Sequence, residues 1–324
     1  PSGKVARLIC DVYTTDKKPF CGDPRRVLQE QLRMAKEMGF ARFNVGVEPE
    51  FFLFKLDQNK QPTLIPSDEG GYFDLSPMDG SEDCRRDIVL ELERLGFRME
   101  ASHHEVSRGQ HEINFSFDNA LEACDNIQTF KMVVKNVARR HNLHATFMPK
   151  PIARINGSGM HTNCSLSDED GNNLFYDANS KNGLSDVAHS FIAGILHHAK
   201  GFCLITNPVV NSYKRLVPGY EAPCYISWSD SNRSTMIRIP APRKQATRAE
   251  IRSVDAAANP YLAMSVILAA GLDGIKKKME CVPSTKTNLF YLTQEERNTI
   301  GVYNLPEDLK EAMDEFMKNK EMQA

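Results

Sequence analysis

Two carboxylates set two residues apart are the first place to look for chemistry. In Val45-Gly-Val-Glu-Pro-Glu-Phe-Phe-Leu-Phe54, Glu48 and Glu50 stand among apolar residues. In an extended strand residues i and i+2 share a face, so both acids point the same way. Like charges side by side in an apolar setting are costly unless a cation stands between them. The stretch by itself admits two outcomes: acids solvated on an edge strand, or acids gathered round a metal ion or an arginine.

Further along, Arg98 to Val106 reads as a strand and Ser107-Arg-Gly-Gln110 as a four-residue hairpin loop. That loop predicts Val106 opposite His111 and Glu105 opposite Glu112, a second like-charge pair that needs a cation. The returning strand alternates Glu112, Asn114 and Ser116 with Ile113, Phe115 and Phe117, a polar face against a core face. In Asn156-Gly-Ser-Gly-Met-His161-Thr-Asn-Cys-Ser165, two glycines admit close backbone approach to a ligand. His161, Asn163 and Ser165 then share one strand face. Arginines follow at 233, 238, 243, 248 and 252, with Arg238 in an apolar strand and Glu250 between Arg248 and Arg252. Such a pattern serves either an ion-pair ladder or the recognition of carboxylate and phosphate.

Oxygen ligands with one imidazole suit Mg²⁺ or Mn²⁺ better than zinc, and two acid pairs suggest more than one ion. Divalent ions beside arginines suit phosphoryl transfer, where catalysis is mostly positioning and charge neutralisation. No Walker A or GxGxxG motif is present, and Asp168 to Asn173 lacks the later glutamate of a calcium loop.

The elements that must position these groups are legible in outline. Lys4 to Tyr13 alternates as a strand. Asp23-Pro24 caps a helix that ends at Gly39. Asp57 to Gly71 reads as a polar loop. A helix from about Ser81 stops at Gly96-Phe97. Further helices are expected over 119–141, 185–204, 259–278 and 306–320, a strand over 144–149 and a long ordered loop over 207–223. The His197-His198 pair belongs on its helix surface. Two successive helix-Gly-Phe-strand units point to helices packed on one face of a mixed or antiparallel sheet.

The chain has 324 residues, 41% hydrophobic and 25% charged, with net charge -2. That is a globular composition, and it argues against nucleic acid as the main ligand. No apolar run reaches membrane-span length, so no membrane partner is expected. Eight cysteines with no C-x-x-C pair, and no leader, suggest a reducing, cytoplasmic setting. The opening Pro1-Ser2-Gly3 lacks a methionine, so the natural chain is expected to begin upstream.

Five stretches resemble class I glutamine synthetase. They are Glu48-Pro-Glu-Phe-Phe52; His103-His-Glu-Val106 with Gly109-Gln-His-Glu112; Asn156 to His161; Asn207-Pro through Pro218-Gly-Tyr-Glu-Ala-Pro223; and Asn232-Arg-Ser to Arg252 with Asp255-Ala-Ala-Ala-Asn-Pro260. The resemblance implies an α+β fold, a curved, mainly antiparallel sheet backed by helices of the guanidino-kinase-like type. It implies ATP-dependent ligation of ammonia to glutamate through a γ-glutamyl phosphate. Glu50, Glu105 and Glu112 resemble the ligands of one metal, and Glu48, His161 and Glu250 those of a second. Asn156, Gly157, Arg215, Glu221 and Arg252 match glutamate-side positions. Arg233, Arg238 and Arg248 match phosphate-facing ones, and Glu100, Asn163 and Ser165 nucleotide-side ones. Arg215, Glu221 and Arg233 are the expected catalytic groups.

The same resemblance implies a homo-oligomer of two stacked hexamers. Residues 1–324 would be a single catalytic domain without the family's N-terminal β-grasp domain and part of its C-terminal helical region, so the isolated chain is expected to have little activity. Asn163 departs from the histidine many members carry, and Ala241 to Thr247 does not align with the usual loop. A γ-glutamyl ligase for another amine, or a non-catalytic binding protein of the same fold, remain the alternatives.

Overall fold

An aspartate cap followed by proline at the first helical position starts α1 (Pro24–Glu37), where Asp23 accepts the Arg25 N–H at 3.1 Å. The helix closes at Met38, and Gly39 leaves it at φ 93°, the left-handed conformation that glycine adopts without steric cost. The computed structural model describes residues 6–323.

The chain then builds β1 (Arg42–Leu56), β2 (Pro62–Pro66), α2 (Glu82–Arg94), β3 (Met99–His104), β4 (Gln110–Phe115) and β5 (Asp118–Asn119). Next come α3 (Ala120–Arg140), β6 (Leu143–Thr146), β7 (Met160–Ser167), α4 (Asp186–Thr206) and α5 (Ser212–Arg215). The last third holds β8 (Tyr225–Ser229), β9 (Thr235–Arg238), β10 (Ala249–Ile251), α6 (Pro260–Lys276), α7 (Gln294–Thr299), β11 (Tyr303–Asn304), α8 (Leu309–Lys318) and α9 (Lys320–Gln323). Among the described residues the strands form one open 11-stranded sheet, ordered β11-β8-β9-β10-β7-β1-β4-β3, with β2, β5 and β6 also paired to β1. All pairings are antiparallel except β8 with β9. The fold is therefore α+β, with helices backing a mainly antiparallel sheet.

β1 is the organising strand. Residues 42–49 pair with β7, and from Glu50 onward the strand pairs with β4 instead. Pro49, which has no N–H to give a ladder, stands at this change of partner. Phe43, Val45, Val47 and Phe51 are buried in the helix-backed core, while Asn44, Gly46 and Glu48 alternate onto the other face. Across the core α4 and α6 cross with almost no gap. A Cβ on Gly194 would lie 2.2 Å from the Ala270 carbonyl oxygen, and one on Gly274 would lie 2.2 Å from that of Ser190.

Several expectations are corrected. No strand forms over residues 6–12, where Leu8 is 84% exposed, and only Tyr13 bridges, to Pro19. Alternation alone makes no strand when no sheet edge lies alongside to receive it. Lys4 and Val5 lie outside the described residues. The polar loop after Asp57 contains β2, which hydrogen-bonds to the end of β1. His198 is buried and 2.8 Å from Asp273, since α6 packs over that helix face. The helix expected over 306–320 is α8, which starts after the Asp308 cap and stops at Lys318, before the separate short α9. The β3–β4 register is displaced by two from the expected one: His103 opposes Glu112 and His104 opposes His111. Glu105 therefore meets Gln110, its N–H donating to the Gln110 carbonyl at 2.8 Å.

Gly194→Val should put two methyl groups into the backbone of α6. Overpacking of this kind costs typically about 1–3 kcal/mol. We expect a melting temperature several degrees lower in a thermal scan, whereas Gly171→Ala in the exposed 168–173 turn should lose less.

Candidate active site

β1, β4, β7 and β10 lie near one another in the sheet, and each contributes an acid or imidazole to one face. Glu48 pairs in register with His161, Glu50 with Glu112, and Glu250 with both Asn163 and Arg238. The like-charge pair read from the sequence exists, but it is Glu50 against Glu112 across β1 and β4, not Glu105 against Glu112. Glu48, Glu50, Glu112, His161 and Arg238 floor a cleft of about 900 Å³ rimmed by Tyr72, Asn156, Glu221, Arg233 and Lys286, while Glu250 is fully buried and does not line it.

The acids fall into two groups. Glu48, His161 and Glu250 bring ligand atoms within 4.8 Å of one another, with His161 Nδ1 3.5 Å from Glu48 and 3.8 Å from Glu250. His103, Glu105 and Glu112 form the other, with His103 Nε2 2.9 Å from Glu105 Oε1. Glu50 stands between them, 3.9 Å from His161, its Oε2 accepting from Gln110 Nε2 and the Gly159 N–H at 3.0 Å each. His103 is absent from the sequence-predicted ligand set. The signal was available, because it precedes Glu105 by two residues and shares its side of the chain.

Charge compensation is uneven along this row. Glu250 is buried between Arg238 and Arg252, 2.5 Å from each. Burial would raise the Glu48 carboxyl, but His161, the Asn163 amide and Arg238 outweigh it and bring it to about 2. Burial pushes Glu50 up, with Glu105 adding to the rise against His161 and Arg215. Glu112 is held well above the usual carboxylate range by burial and by Glu50, Glu48 and Glu105, with only the Asn114 amide, at 2.8 Å, opposing. The buried Nδ1 of His103 has no hydrogen-bond partner. One end of the row is thus neutralised by arginines and the other is short of positive charge.

The remaining predicted residues divide. Asn156 Nδ2 donates to Glu221 at 3.0 Å across the cleft mouth, and Glu221 holds φ 57°. Arg215 is buried, with its two terminal nitrogens donating to the Ser253 and Arg252 carbonyls at 2.9 and 3.0 Å. Arg233, Arg238 and Arg252 line the cleft. Asn163 bridges Glu48 and Arg248 from one side of the floor, at 2.8 and 2.9 Å, and Ser165 lies next to Asn44. Asn163, Ser165, Arg248 and Glu100 are not among the cleft-lining residues, and Glu100 is exposed in the irregularity between Met99 and Ala101. The glycines at 157 and 159 are required by the protein itself. A Cβ would lie 2.3 Å from the Pro149 carbonyl oxygen at the first, and 2.5 Å from Arg215 at the second.

The open, mainly antiparallel sheet thus carries a buried row of acids beside arginines, with groups that could hold a metal ion. Comparison with known proteins makes this specific. Residues 21–324 match the family described as glutamine synthetase, catalytic domain. Curated glutamine synthetases of Staphylococcus aureus are 58% identical over 318 residues, 98% of this chain and 71% of theirs. A solved structure titled GmaS/ADP complex superposes with TM-score 0.86 at 35% identity, covering 96% of this chain and 71% of that one. A Plasmodium falciparum glutamine synthetase solved by cryo-electron microscopy gives 0.84 at 26%, covering 97% and 74%. The chain belongs to the glutamine synthetase family. Among the described residues no helix is long and apolar enough to cross a membrane.

The uneven compensation is testable without ligand. A carboxyl whose folded pKa is raised favours the fold below its unfolded value, about 4.3, and that contribution is lost as pH rises through the folded pKa. Glu112→Gln removes the charge but keeps an acceptor for Asn114. In metal-free buffer the variant should melt higher than wild type, by an amount that grows from pH 5 to pH 8 in thermal scans. An equal or lower melting temperature at pH 8 counts against the charge shortage.

Proposed function

We propose that this chain is the catalytic domain, over residues 1–324, of a glutamate–ammonia ligase. It would join ammonia to L-glutamate at the expense of ATP, giving L-glutamine, ADP and phosphate by way of γ-glutamyl phosphate, in the service of nitrogen assimilation in the cytoplasm. The observation that carries the reading is the row of Glu48, Glu50, Glu112, His161 and Glu250 on one sheet face, joined by Glu105 from the β3–β4 turn, in a chain 58% identical to glutamine synthetases. A non-catalytic descendant would have no reason to keep a row that burdens its own fold with unpaired charge.

The residues fit divalent cations on their own evidence. Glu50 and Glu112 are opposed with amide donors as their close partners, and a buried His103 nitrogen lacks a partner. Hard carboxylate oxygens with a single imidazole suit Mg²⁺ or Mn²⁺. Glu50, Glu105 and Glu112, with His103 as a further donor, would hold one ion, and Glu48, His161 and Glu250 another. Such ions, when bound, supply Lewis-acid neutralisation of phosphate and carboxylate charge.

The chain's own groups do the rest by positioning. Arg233 and Arg238 would meet the oxygens of the transferring phosphoryl group, since a guanidinium pairs with phosphate through parallel N–H donors. Glu100, Asn163, Ser165 and Arg248 would serve the nucleotide side. Asn156 and Gly157 would receive the α-groups of glutamate, and Arg215 and Arg252 its carboxylates. In the first step a glutamate side-chain oxygen attacks the γ-phosphorus and ADP leaves. In the second, the nitrogen of ammonia attacks the acyl carbon and the C–O bond to phosphate breaks. Glu221 would cover the cleft mouth and keep water from the acyl phosphate. Homo-oligomeric rings, two hexamers stacked, are the assembly we expect.

The test is ATP-dependent glutamine formation by the natural full-length protein, with an amine panel beside ammonia. We expect ammonia to give the highest kcat/KM. Arg233→Ala should lower kcat about 10²–10³-fold, as removal of one charge-stabilising donor does. A higher kcat/KM with an alkylamine would reassign the substrate, and no nucleotide-dependent ligation with any amine would sink the reading.

A further inference from the structure

Beneath the His103–Glu105–Glu112 group lies a second cluster that the proposed reaction does not use. Asp68, Asp79, His104 and His111 are all buried and bring ligand atoms within 4.8 Å of one another. The donor set resembles a metal site, but the place of the cation is taken. Arg85 pairs with Asp79, and its Nη1 lies 3.1 Å from His111 Nδ1. The second nitrogen of His111 has no partner and lies 3.7 Å from Asp68. The cluster therefore needs another explanation, and the bonds of Asp68 supply it.

Asp68 sits just past β2, and its carboxylate is nearly inaccessible, at 1%. Oδ1 accepts from His104 Nε2 at 2.9 Å, from the Gly109 N–H at 2.8 Å and from the Gly70 N–H at 3.3 Å, and Oδ2 from Ser67 Oγ at 3.1 Å. His104 is the last residue of β3, and Gly109 the last before β4. Glu105 lies between them, outside both strands, with its N–H donating to the Gln110 carbonyl at 2.8 Å. His104 also binds it directly, Nδ1 donating to the Glu105 carbonyl at 2.6 Å. The same turn is tied to β1: Leu53 N–H donates to the Gly109 carbonyl at 2.7 Å, and Ser67 N–H to the Leu53 carbonyl at 3.0 Å. The carboxylate thus joins the two sides of the turn bearing Glu105, and the backbone next to it, at Ser67 and Gly109, is bonded to Leu53 of the strand bearing Glu50. Gly109 has to be glycine, at φ 66° with a Cβ that would lie 2.7 Å from the Leu53 carbonyl oxygen.

We propose that Asp68 is a positioning residue that fixes the β3–β4 turn so that Glu105 converges with His103 and Glu112 on one cation. The proposal rests on the metal reading above. Partners behind the ligands of a metal site are commonly worth about 10–100-fold in affinity, and Asp68 reaches its ligand through the His104 side chain on one side of the turn and the Gly109 N–H on the other.

The experiment is Mn²⁺ titration of the full-length protein, followed by the electron paramagnetic resonance of free Mn²⁺. Glu112→Gln and Glu48→Gln assign the two binding phases, each variant removing one. Asp68→Asn should weaken the Glu112-dependent phase about 10–100-fold and leave the Glu48-dependent phase unchanged. Asp68→Ala should do so more severely. Asp79→Asn is the control: it disturbs the same buried cluster through Arg85 without touching the turn, so it should lower the melting temperature and leave both phases in place. Unchanged affinity in Asp68→Asn, an equal loss in both phases, or the same selective loss in Asp79→Asn overturns the positioning role. A wild-type protein without two Mn²⁺ phases overturns the metal reading and this inference with it.

Discussion

The structure depends on a concentration of negative charge that the fold only half neutralises. β1 runs through the sheet and pairs with five other strands. Its alternation places apolar side chains against the helices and Glu48 on the opposite face, so the core that stabilises the sheet also drives its acids together. Such burial is tolerable only with compensation. At Glu250 two arginines supply it. At Glu48 an imidazole and an amide do. At Glu50 and Glu112 the close donors are amides, and both carboxyls are pushed up. A fold that spends stability in this way is poised for a cation where its own are missing.

Much of that row was legible from spacing alone. Two residues apart on a strand means one face, and this holds for Glu48 with Glu50 and for His161 with Asn163. The helix cap at Asp23 was an equally local signal, closing a hydrogen bond two residues on. What failed was long-range. The Ser107–Gln110 loop was expected to put Glu105 against Glu112. The chain instead turns through 106–109, because the Gly109 carbonyl is drawn onto the Leu53 N–H and the Gly109 N–H onto the Asp68 carboxylate. Asp68 is about forty residues from that turn in sequence, and nothing near Ser107 announces it. His198 failed for a related reason: one helix face shows where a histidine points, not that α6 will cover it. The alternation over residues 6–12 had no neighbouring strand to make it structure.

The cleft also separates two kinds of construction. Its floor is sheet, with each acid held by register and by buried donors. Its mouth is loop, where Asn156 and Glu221 meet through one hydrogen bond at 3.0 Å and Glu221 is held at φ 57°. The loop carrying Asn156 is itself fastened from beneath. Lys150 is buried, donates to the Ile155 carbonyl and lies 3.9 Å from the centre of the Tyr220 ring, next to Glu221. That cation–π contact is stronger away from water, and it couples the two sides of the mouth through a residue outside the cleft. On the function proposed here the division has a chemical logic. Neutralising phosphate needs groups that do not reorganise during the reaction, which a sheet provides. Excluding water from an acyl phosphate needs a cover that can open for ammonia and product, which two loops joined by one exposed hydrogen bond and one cation–π contact provide.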